Sequence, residues 1–275
     1  MYRYDNRKLP EGGIVAYRTE LIESVDLEAM SRTIASLSSR ASVRQYSERN
    51  VTDDTIRMIL NAARQAPTSS NLQAYSFVVI RDLEKRRLLS QIAGNQSHIV
   101  TAPVLVAICA DLNRLTRVCQ HRKQPATISG VEIMLVSVID AALVGMGACL
   151  SAESLGLGTV MIGALRNEPE KVAELLNLPH GVFVTFGLCI GWPAYLPPPK
   201  PRLPENVVIH WERYEPAVMG HSVRQYDRQL SEYYREIGAN GWAWSARIAH
   251  HLSYEHRTHM RDSLANLGFN ISDRG

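Results

Sequence analysis

The stretch VEIMLVSVIDAALVGMGACLSAESL, residues 131–155, decides the fold of this chain. It is apolar on nearly every helical face, and Gly156 follows it directly, as glycine commonly follows the last residue of a helix. Asp140 lies in its middle and Glu132 and Glu153 near its ends, which argues against a membrane span because charges inside a span are rare and costly. We therefore predict a buried helix, covered on most sides as a central or dimer-interface helix would be.

The elements around this helix mix helices and strands without regular alternation. Thr52 followed by two aspartates predicts the start of a helix, and Leu27 begins an earlier helical pattern. Residues 116–128 are polar and are predicted to be irregular. Predicted strands cover residues 76–80, 104–109, 159–162 and 183–190. Because there is neither an internal repeat nor a β-α-β alternation, an α+β fold is favoured over a doubly wound sheet.

Length and composition are those of an ordinary globular protein, with 275 residues, 45% hydrophobic and 21% charged. We expect an N-terminal arm over residues 1–26 and one domain over residues 27–275. Within that domain, the proline-rich residues 193–208 predict an extended arm and residues 221–268 predict helices.

Charge and cysteine usage limit the classes of partner and compartment. The net charge is +3 and the basic residues are scattered, so nucleic acid is not an expected partner. Four widely spaced cysteines are typical of reduced thiols, and the N-terminus lacks the apolar core of a signal peptide. We expect a cytoplasmic protein that does not enter a membrane.

Two groups of basic residues are candidates for binding a phosphate. Arg40, Ser42 and Arg44 alternate, and in extended backbone alternate side chains point the same way. Two guanidiniums and a hydroxyl can then bind one phosphate, although a solvated basic turn explains the same pattern. Lys200 and Arg202 either present two cations on one side of the proline-rich arm or are ordinary exposed charges.

Other polar segments leave similar alternatives open. Residues 68–73 form either a plain turn or a set of hydroxyl and amide donors for a ligand, and residues 94–98 form either a helix C-cap or a polar rim. Gly163 permits close backbone approach to a ligand or relieves a tight turn. The histidines within residues 250–259 lack a completing cysteine or carboxylate, so no metal site is expected. Without a recognisable nucleophile or phosphate-loop motif, an enzyme of this sequence needs a cofactor.

Four motifs resemble those of the nitroreductase family and occur in the same order along the chain. RASVRQY at residues 40–46 resembles the family's opening motif. AESLGLG at 152–158, IGALRN at 162–167 and GLCIGWP at 187–193 resemble the subgroup of oxygen-insensitive NADPH nitroreductases and NADPH-flavin reductases. The resemblance extends from about residue 27 to the end of the chain.

The resemblance implies an α+β fold with a central mixed sheet flanked by helices, assembled as an intertwined homodimer that holds FMN at its interface. No side chain is expected to be catalytic, because the flavin N5 carries the hydride. The implied cofactor-binding positions are Arg40, Ala41, Ser42, Arg44, Thr68, Ser69, Gln73, Gln96, Met161, Ile162, Gly163, Ala164, Lys200 and Arg202. The implied substrate positions are Glu132, Arg166 and Arg235.

By the same resemblance, the reaction is a ping-pong transfer of hydride from NADPH or NADH, through FMN, to nitroaromatics, quinones or free flavins. The loop after residue 234 departs from the subgroup, because Arg235 is its only cation and Glu236 would repel a 2′-phosphate. NADH therefore becomes an alternative donor. The competing hypotheses are a flavin-binding sensor or interaction protein without turnover, and a specialised dehydrogenase or dehalogenase of the same superfamily.

Overall fold

The computed structural model describes residues 32–126, 128–216 and 219–270. The predicted arm over residues 1–26 and the first residues of the helix predicted from Leu27 lie outside these ranges, whereas the helix at Arg32–Ser39 confirms the later part of that prediction. The helices are α1 Arg32–Ser39, α2 Asp53–Ala63, α3 Leu83–Ile92, α4 Ser97–Thr101, α5 Asn113–His121, α6 Val131–Ser154, α7 Pro169–Leu175, α8 Glu205–Val208, α9 Met219–Glu236, α10 Trp244–His251 and α11 Met260–Asn266. The strands are β1 Tyr75–Ile80, β2 Val104–Asp111, β3 Gly158–Ile162 and β4 Val182–Gly191.

These four strands form one sheet in the order β1-β2-β4-β3, and each neighbouring pair is antiparallel. All eight residues of the inner strand β2 are buried. A parallel element is added at the edge, where Ser42 forms an isolated bridge with Thr159 of β3. Helices around an antiparallel sheet confirm the predicted α+β class, and the predicted mixed pairing is limited, among the described residues, to the Ser42 bridge.

The central helix α6 packs one face on the sheet. Ala141, Val144 and Ala148 are fully buried and share one hydrophobic core with residues of β2 and β4. A Cβ at Gly145 would overlap the ring of Phe186, so the absence of a side chain lets the sheet approach the helix. The prediction of a buried helix is therefore confirmed for this face.

The opposite face of α6 is exposed in the single chain. Four large apolar side chains at a spacing of four residues are each between 40% and 53% exposed: Val131, Leu135, Ile139 and Leu143. Residues at this spacing lie on one side of a helix, so they form a continuous apolar stripe, which we call the α6 stripe. Contiguous exposed apolar surface of this kind marks an interaction face.

By length and composition alone, α6 is the one helix among the described residues that could cross a membrane, with a mean hydropathy of 2.2 over the tested window. Within the chain, 39% of that window is buried inside the fold. Asp140 in its middle is fully buried and hydrogen-bonded to the loop before β1. These are features of the core helix of a folded domain.

The local signal at Thr52 placed the start of α2 correctly, but local signals missed α5. The Thr52 hydroxyl accepts a hydrogen bond from the backbone N–H of Thr55, as the predicted cap requires. The prediction of irregular structure at residues 116–128 is wrong over its first part, because α5 reaches His121. The helix is started by the carboxylate of Asp111, at the end of β2, which accepts the N–H of Arg114.

The proline-rich arm lies against α9. The hydroxyls of Tyr226 and Tyr233 donate to the carbonyls of Pro201 and Pro198, at 3.0 and 3.3 Å. Residues 193–204 contain no helix or strand, but Glu205–Val208 form one helical turn, so the extended part is shorter than the predicted 193–208. Residues 205–209 contain no proline, so they keep the backbone N–H groups that close this turn.

Candidate functional site

The segment that carries Arg40, Ser42 and Arg44 is docked in extended form on β3. The N–H of Val43 donates to the carbonyl of Thr159 at 2.9 Å, beside the Ser42 bridge. A Cβ at Gly158 would come within 2.7 Å of the Val43 side chain, so glycine is required there for this close approach. The extended backbone assumed for the alternating arginine pattern is therefore confirmed.

Arg44 lies close to side chains from two distant parts of the chain. Burial lowers the pKa of His98, and the positive charge of Arg44 lowers it further. Burial also raises the pKa of Tyr233, with Arg44 acting in the opposite direction. The Nε2 atom of His98 is buried and has no hydrogen-bond partner among the described residues. The fold thus brings α4 and α9 to the segment that carries Arg44.

Lys200 and Arg202 approach other tyrosines of α9 from the arm. The ammonium of Lys200 donates to the hydroxyl of Tyr234 at 3.1 Å and lies 5.0 Å from the centre of its ring. The pKa of Tyr226 is raised by burial, while the charge of Arg202 acts to lower it. Cations that are distant in sequence therefore converge on the tyrosines of α9.

This group of cations has the donor set of a phosphate site. Arg44, Lys200 and Arg202 form no ion pair with any acidic residue that the structure describes. Guanidinium and ammonium groups that form no ion pair attract an anion, and phosphate accepts several charge-assisted hydrogen bonds at once. The residues present therefore fit the phosphate of a nucleotide cofactor such as FMN.

Arg40 is held differently from Arg44. Its Nε atom lies 3.4 Å from both the Cys149 sulfur and the Glu153 carboxylate. Burial lowers the pKa of Arg40, but the contacts with Cys149 and Glu153 outweigh it and raise the pKa overall. Ala41 next to it is buried, and the two residues border a cavity of about 150 Å³.

The polar loop at residues 68–73 is clamped by a buried carboxylate. The two oxygens of Asp140 accept the backbone N–H groups of Ser69 and Ala74 at 3.1 and 3.0 Å. Ser70, Asn71 and Gln73 have positive φ angles of 48°, 57° and 52°. Left-handed conformations are unfavourable for Ser70 and Gln73, whereas asparagine tolerates them, so the clamp stabilises a partly strained loop.

The exposed side of this loop carries the predicted residues. Gln73 is exposed, and its amide nitrogen lies 3.3 Å from the Asn71 side-chain oxygen. Arg114 secures the loop from the other side by donating to the Gln73 and Tyr75 carbonyls. Asp140 and Arg114 were not predicted as site residues. A charge in the middle of an apolar helix was the available signal for Asp140.

The remaining predicted cofactor positions lie at turns and at the end of β3. Gln96 precedes α4 and turns its amide nitrogen back to the carbonyl of Ala93 at 3.0 Å. Met161 is 40% exposed on β3, whereas Ile162 is 1% exposed. Gly163 and Ala164 begin the 3-10 turn that follows. Met161 therefore presents a side chain at the surface beside the turn.

The predicted substrate residues lie in three separate places. Arg166 donates to the Thr185 carbonyl, and its pKa is lowered by burial and then by the charge of Arg257. Arg257, which was not predicted, thus adds a second cation beside Arg166. Glu132 is exposed in the first turn of α6. Arg235 borders an open cavity of about 290 Å³ on α9.

The single chain does not bring all predicted residues together. No hydrogen bond or ion pair within the described ranges links the loop at residues 68–73 to Arg44, Lys200 or Arg202. Sequence reasoning grouped these residues through the resemblance. The structure places Arg44 and Lys200 near Tyr233 of α9 and Arg202 near Tyr226 of the same helix.

Comparison with known proteins gives the family. The nitroreductase family profile matches residues 37–192, and the profile of the nitroreductase family C-terminal domain matches residues 200–272. An oxygen-insensitive NADPH nitroreductase of Salmonella typhimurium is 40% identical over 242 residues, covering 87% of this chain and 99% of that protein. An FMN reductase (NADPH) of Bacillus subtilis is 36% identical over 247 residues, covering 88% and 99%.

A solved structure shows the same fold over nearly the same length. The NADPH:FMN oxidoreductase from Vibrio harveyi, in complex with NAD+, has a TM-score of 0.80 to this chain at 33% identity, covering 87% of this chain and 99% of that one. The profiles together cover both the sheet with its central helix and the C-terminal helices. The chain belongs to the nitroreductase family.

Proposed function

We propose that this chain is an FMN-dependent oxidoreductase that takes hydride from NADPH or NADH and passes electrons to nitroaromatics, quinones or free flavins. The observation that carries the proposal is the unpaired cationic group of Arg44, Lys200 and Arg202 on the tyrosines of α9. The relatives of this chain include an FMN reductase (NADPH) and an oxygen-insensitive NADPH nitroreductase, which match 88% and 87% of the chain.

Bound FMN supplies the hydride-accepting N5 atom, and the chain supplies binding and electrostatics. Arg44, Lys200 and Arg202 hold the phosphate by charge-assisted hydrogen bonds. Arg166 and Arg257 place positive charge where a nitro or quinone acceptor becomes more negative, which stabilises that change. The further flavin contacts that we propose are Arg40, Ser42, the backbone of Ala41, Thr68, Ser69, Gln73, Gln96, Met161, Ile162, Gly163 and Ala164.

We propose that two copies of residues 27–275, each forming one domain, pair through the α6 stripe. The stripe runs for about 18 Å along the helix, at 1.5 Å per residue. Because the loop at residues 68–73 forms no hydrogen bond or ion pair with Arg44, Lys200 or Arg202 among the described residues, a partner's loop would complete the flavin site. All four cysteines are free and three are buried, which supports a reducing compartment such as the cytoplasm.

Replacing Ile139 by glutamate is expected to convert the dimer into monomers and to reduce FMN retention, because a charge in the middle of the α6 stripe would be desolvated at the interface. Light scattering after gel filtration measures the mass. Leu88→Glu, at a comparably exposed position on α3, is the matched control and should leave the mass unchanged. A dimer that survives Ile139→Glu would contradict this interface.

The donor is tested by anaerobic stopped-flow reduction of the FMN-loaded protein with NADH and with NADPH. We expect the flavin to bleach with both donors. Arg235→Ala should slow flavin reduction by NADPH by about tenfold and leave reduction by NADH nearly unchanged. The reason is that a charge-assisted contact to the 2′-phosphate contributes about 1.5–3 kcal/mol. The control is Arg87→Ala, an exposed arginine paired with Glu84 on α3.

The outcomes separate the competing functions. Unchanged kinetics in Arg235→Ala would dismiss Arg235 as a nicotinamide contact. If neither NADH nor NADPH bleached the flavin, a binding protein without turnover would be favoured. Rapid bleaching combined with poor turnover of generic quinones and nitro compounds would favour a specialised dehydrogenase or dehalogenase.

A further inference from the structure

The carboxylate of Glu153, near the end of α6, is the centre of a largely buried polar network. Its Oε1 accepts a hydrogen bond from the Thr159 hydroxyl at 2.6 Å and lies 3.4 Å from Nε of Arg40. The Cys149 sulfur lies 3.0 Å from the same hydroxyl and 3.5 Å from the same carboxylate oxygen. The side chains of Arg40 and Glu153 are only 16% and 12% exposed.

The network holds the guanidinium of Arg40 by one edge. Only its Nε makes a hydrogen bond within the described residues, so the two terminal nitrogens are available for a ligand. The other carboxylate oxygen of Glu153, Oε2, is buried and has no hydrogen-bond partner among those residues. Such a carboxylate depends on the Arg40 charge, because a buried anion without a partner is strongly unfavourable.

The same network also holds the backbone that carries Arg40. The Thr159 carbonyl accepts the N–H of Val43, while its hydroxyl donates to Glu153. Arg40 and Arg44 lie on the same side of this extended segment, because side chains alternate along it. Glu153 therefore orients the guanidinium of Arg40, while Thr159 holds the backbone between Arg40 and Arg44.

We propose that Glu153 is a positioning residue for the flavin phosphate: it fixes Arg40 by its Nε edge, so that the terminal nitrogens of Arg40 join Arg44 in binding that phosphate. This inference rests on the proposed function, because it requires FMN as the ligand. Glu153 touches neither the flavin nor the substrate and acts through Arg40.

The test compares the dissociation constants of FMN and of riboflavin, which lacks the phosphate. Glu153→Gln keeps the size of the side chain but removes its charge. We expect it to weaken FMN binding by about tenfold or more and riboflavin binding by less than about twofold. Glu153→Asp keeps the charge and should lose less FMN affinity than Glu153→Gln. Arg40→Ala should weaken FMN at least as much as Glu153→Gln and give an independent reading if the glutamine variant is unstable.

A double variant separates positioning from general stability. Glu153→Gln combined with Arg40→Ala should bind FMN no more weakly than Arg40→Ala alone, because Glu153 acts only through that arginine. The matched control is Glu170→Gln, whose carboxylate is bonded to Ser263 and Asn266, and it should leave both affinities unchanged.

Equal weakening of FMN and riboflavin, or additive losses in the double variant, would overturn the positioning role while wild-type FMN binding still supported the proposed function. A wild-type protein that bound neither flavin would instead refute the proposed function, and this inference with it.

Discussion

Replacing Asp140 by alanine is expected to lower the free energy of unfolding by about 2–6 kcal/mol and to reduce FMN binding. The change removes the acceptors of two backbone N–H groups, those of Ser69 and Ala74, and each unsatisfied donor costs about 1–3 kcal/mol where it is buried. The loop with three left-handed residues then loses its clamp. Chemical denaturation measures the first effect, and flavin fluorescence titration measures the second.

Asp82→Ala is the matched control for this prediction. Asp82 also accepts one backbone N–H, that of Lys85, but it caps α3 at an exposed position. Its removal should cost about 1 kcal/mol and leave FMN affinity unchanged. If Asp140→Ala destabilised the protein no more than Asp82→Ala, the clamp would have no special importance for the loop.

Replacing Arg44 by alanine is expected to raise the FMN dissociation constant by about a hundredfold or more. A guanidinium makes two charge-assisted hydrogen bonds to phosphate, each contributing about 1.5–3 kcal/mol, and here no described carboxylate competes for it. Riboflavin affinity should change much less. The pKa of His98, which burial and Arg44 lower, should rise in the variant, and NMR titration of the ring measures this change.

Arg64→Ala provides the comparison for Arg44. Arg64 is an exposed arginine at the end of α2 whose guanidinium contacts Asn61. Its replacement should leave the affinities for both flavins unchanged. Equal losses of FMN affinity in the two variants would mean that net charge, rather than a phosphate contact at Arg44, controls binding.

The parts of the fold that could be predicted from the sequence were those encoded by local patterns. The apolar run of α6, the Thr52 cap and the strand predicted at residues 104–109 all depend on residues that are neighbours in sequence. Helix α5 was missed because its first turn is stabilised by Asp111, which also ends strand β2. A residue with two roles is easily assigned only one of them.

The site was less accessible to sequence reasoning, because it is built from distant residues. The alternating arginines were visible, yet their extended backbone depends on the close approach of Val43 to Gly158. The clamp by Asp140 joins residues about 70 positions apart, and no local pattern encodes it. Arg257 was missed for the same reason, since its partner Arg166 lies in another element.

The most direct test of the central claim separates the two half-reactions in the absence of oxygen. The protein is loaded with FMN, one equivalent of NADPH or NADH is added, and the flavin absorbance is followed before and after addition of a nitroaromatic or quinone. The account predicts complete bleaching by the donor and full recovery with the acceptor. A protein that fails to retain FMN, or whose flavin is not reduced by either donor, would contradict it.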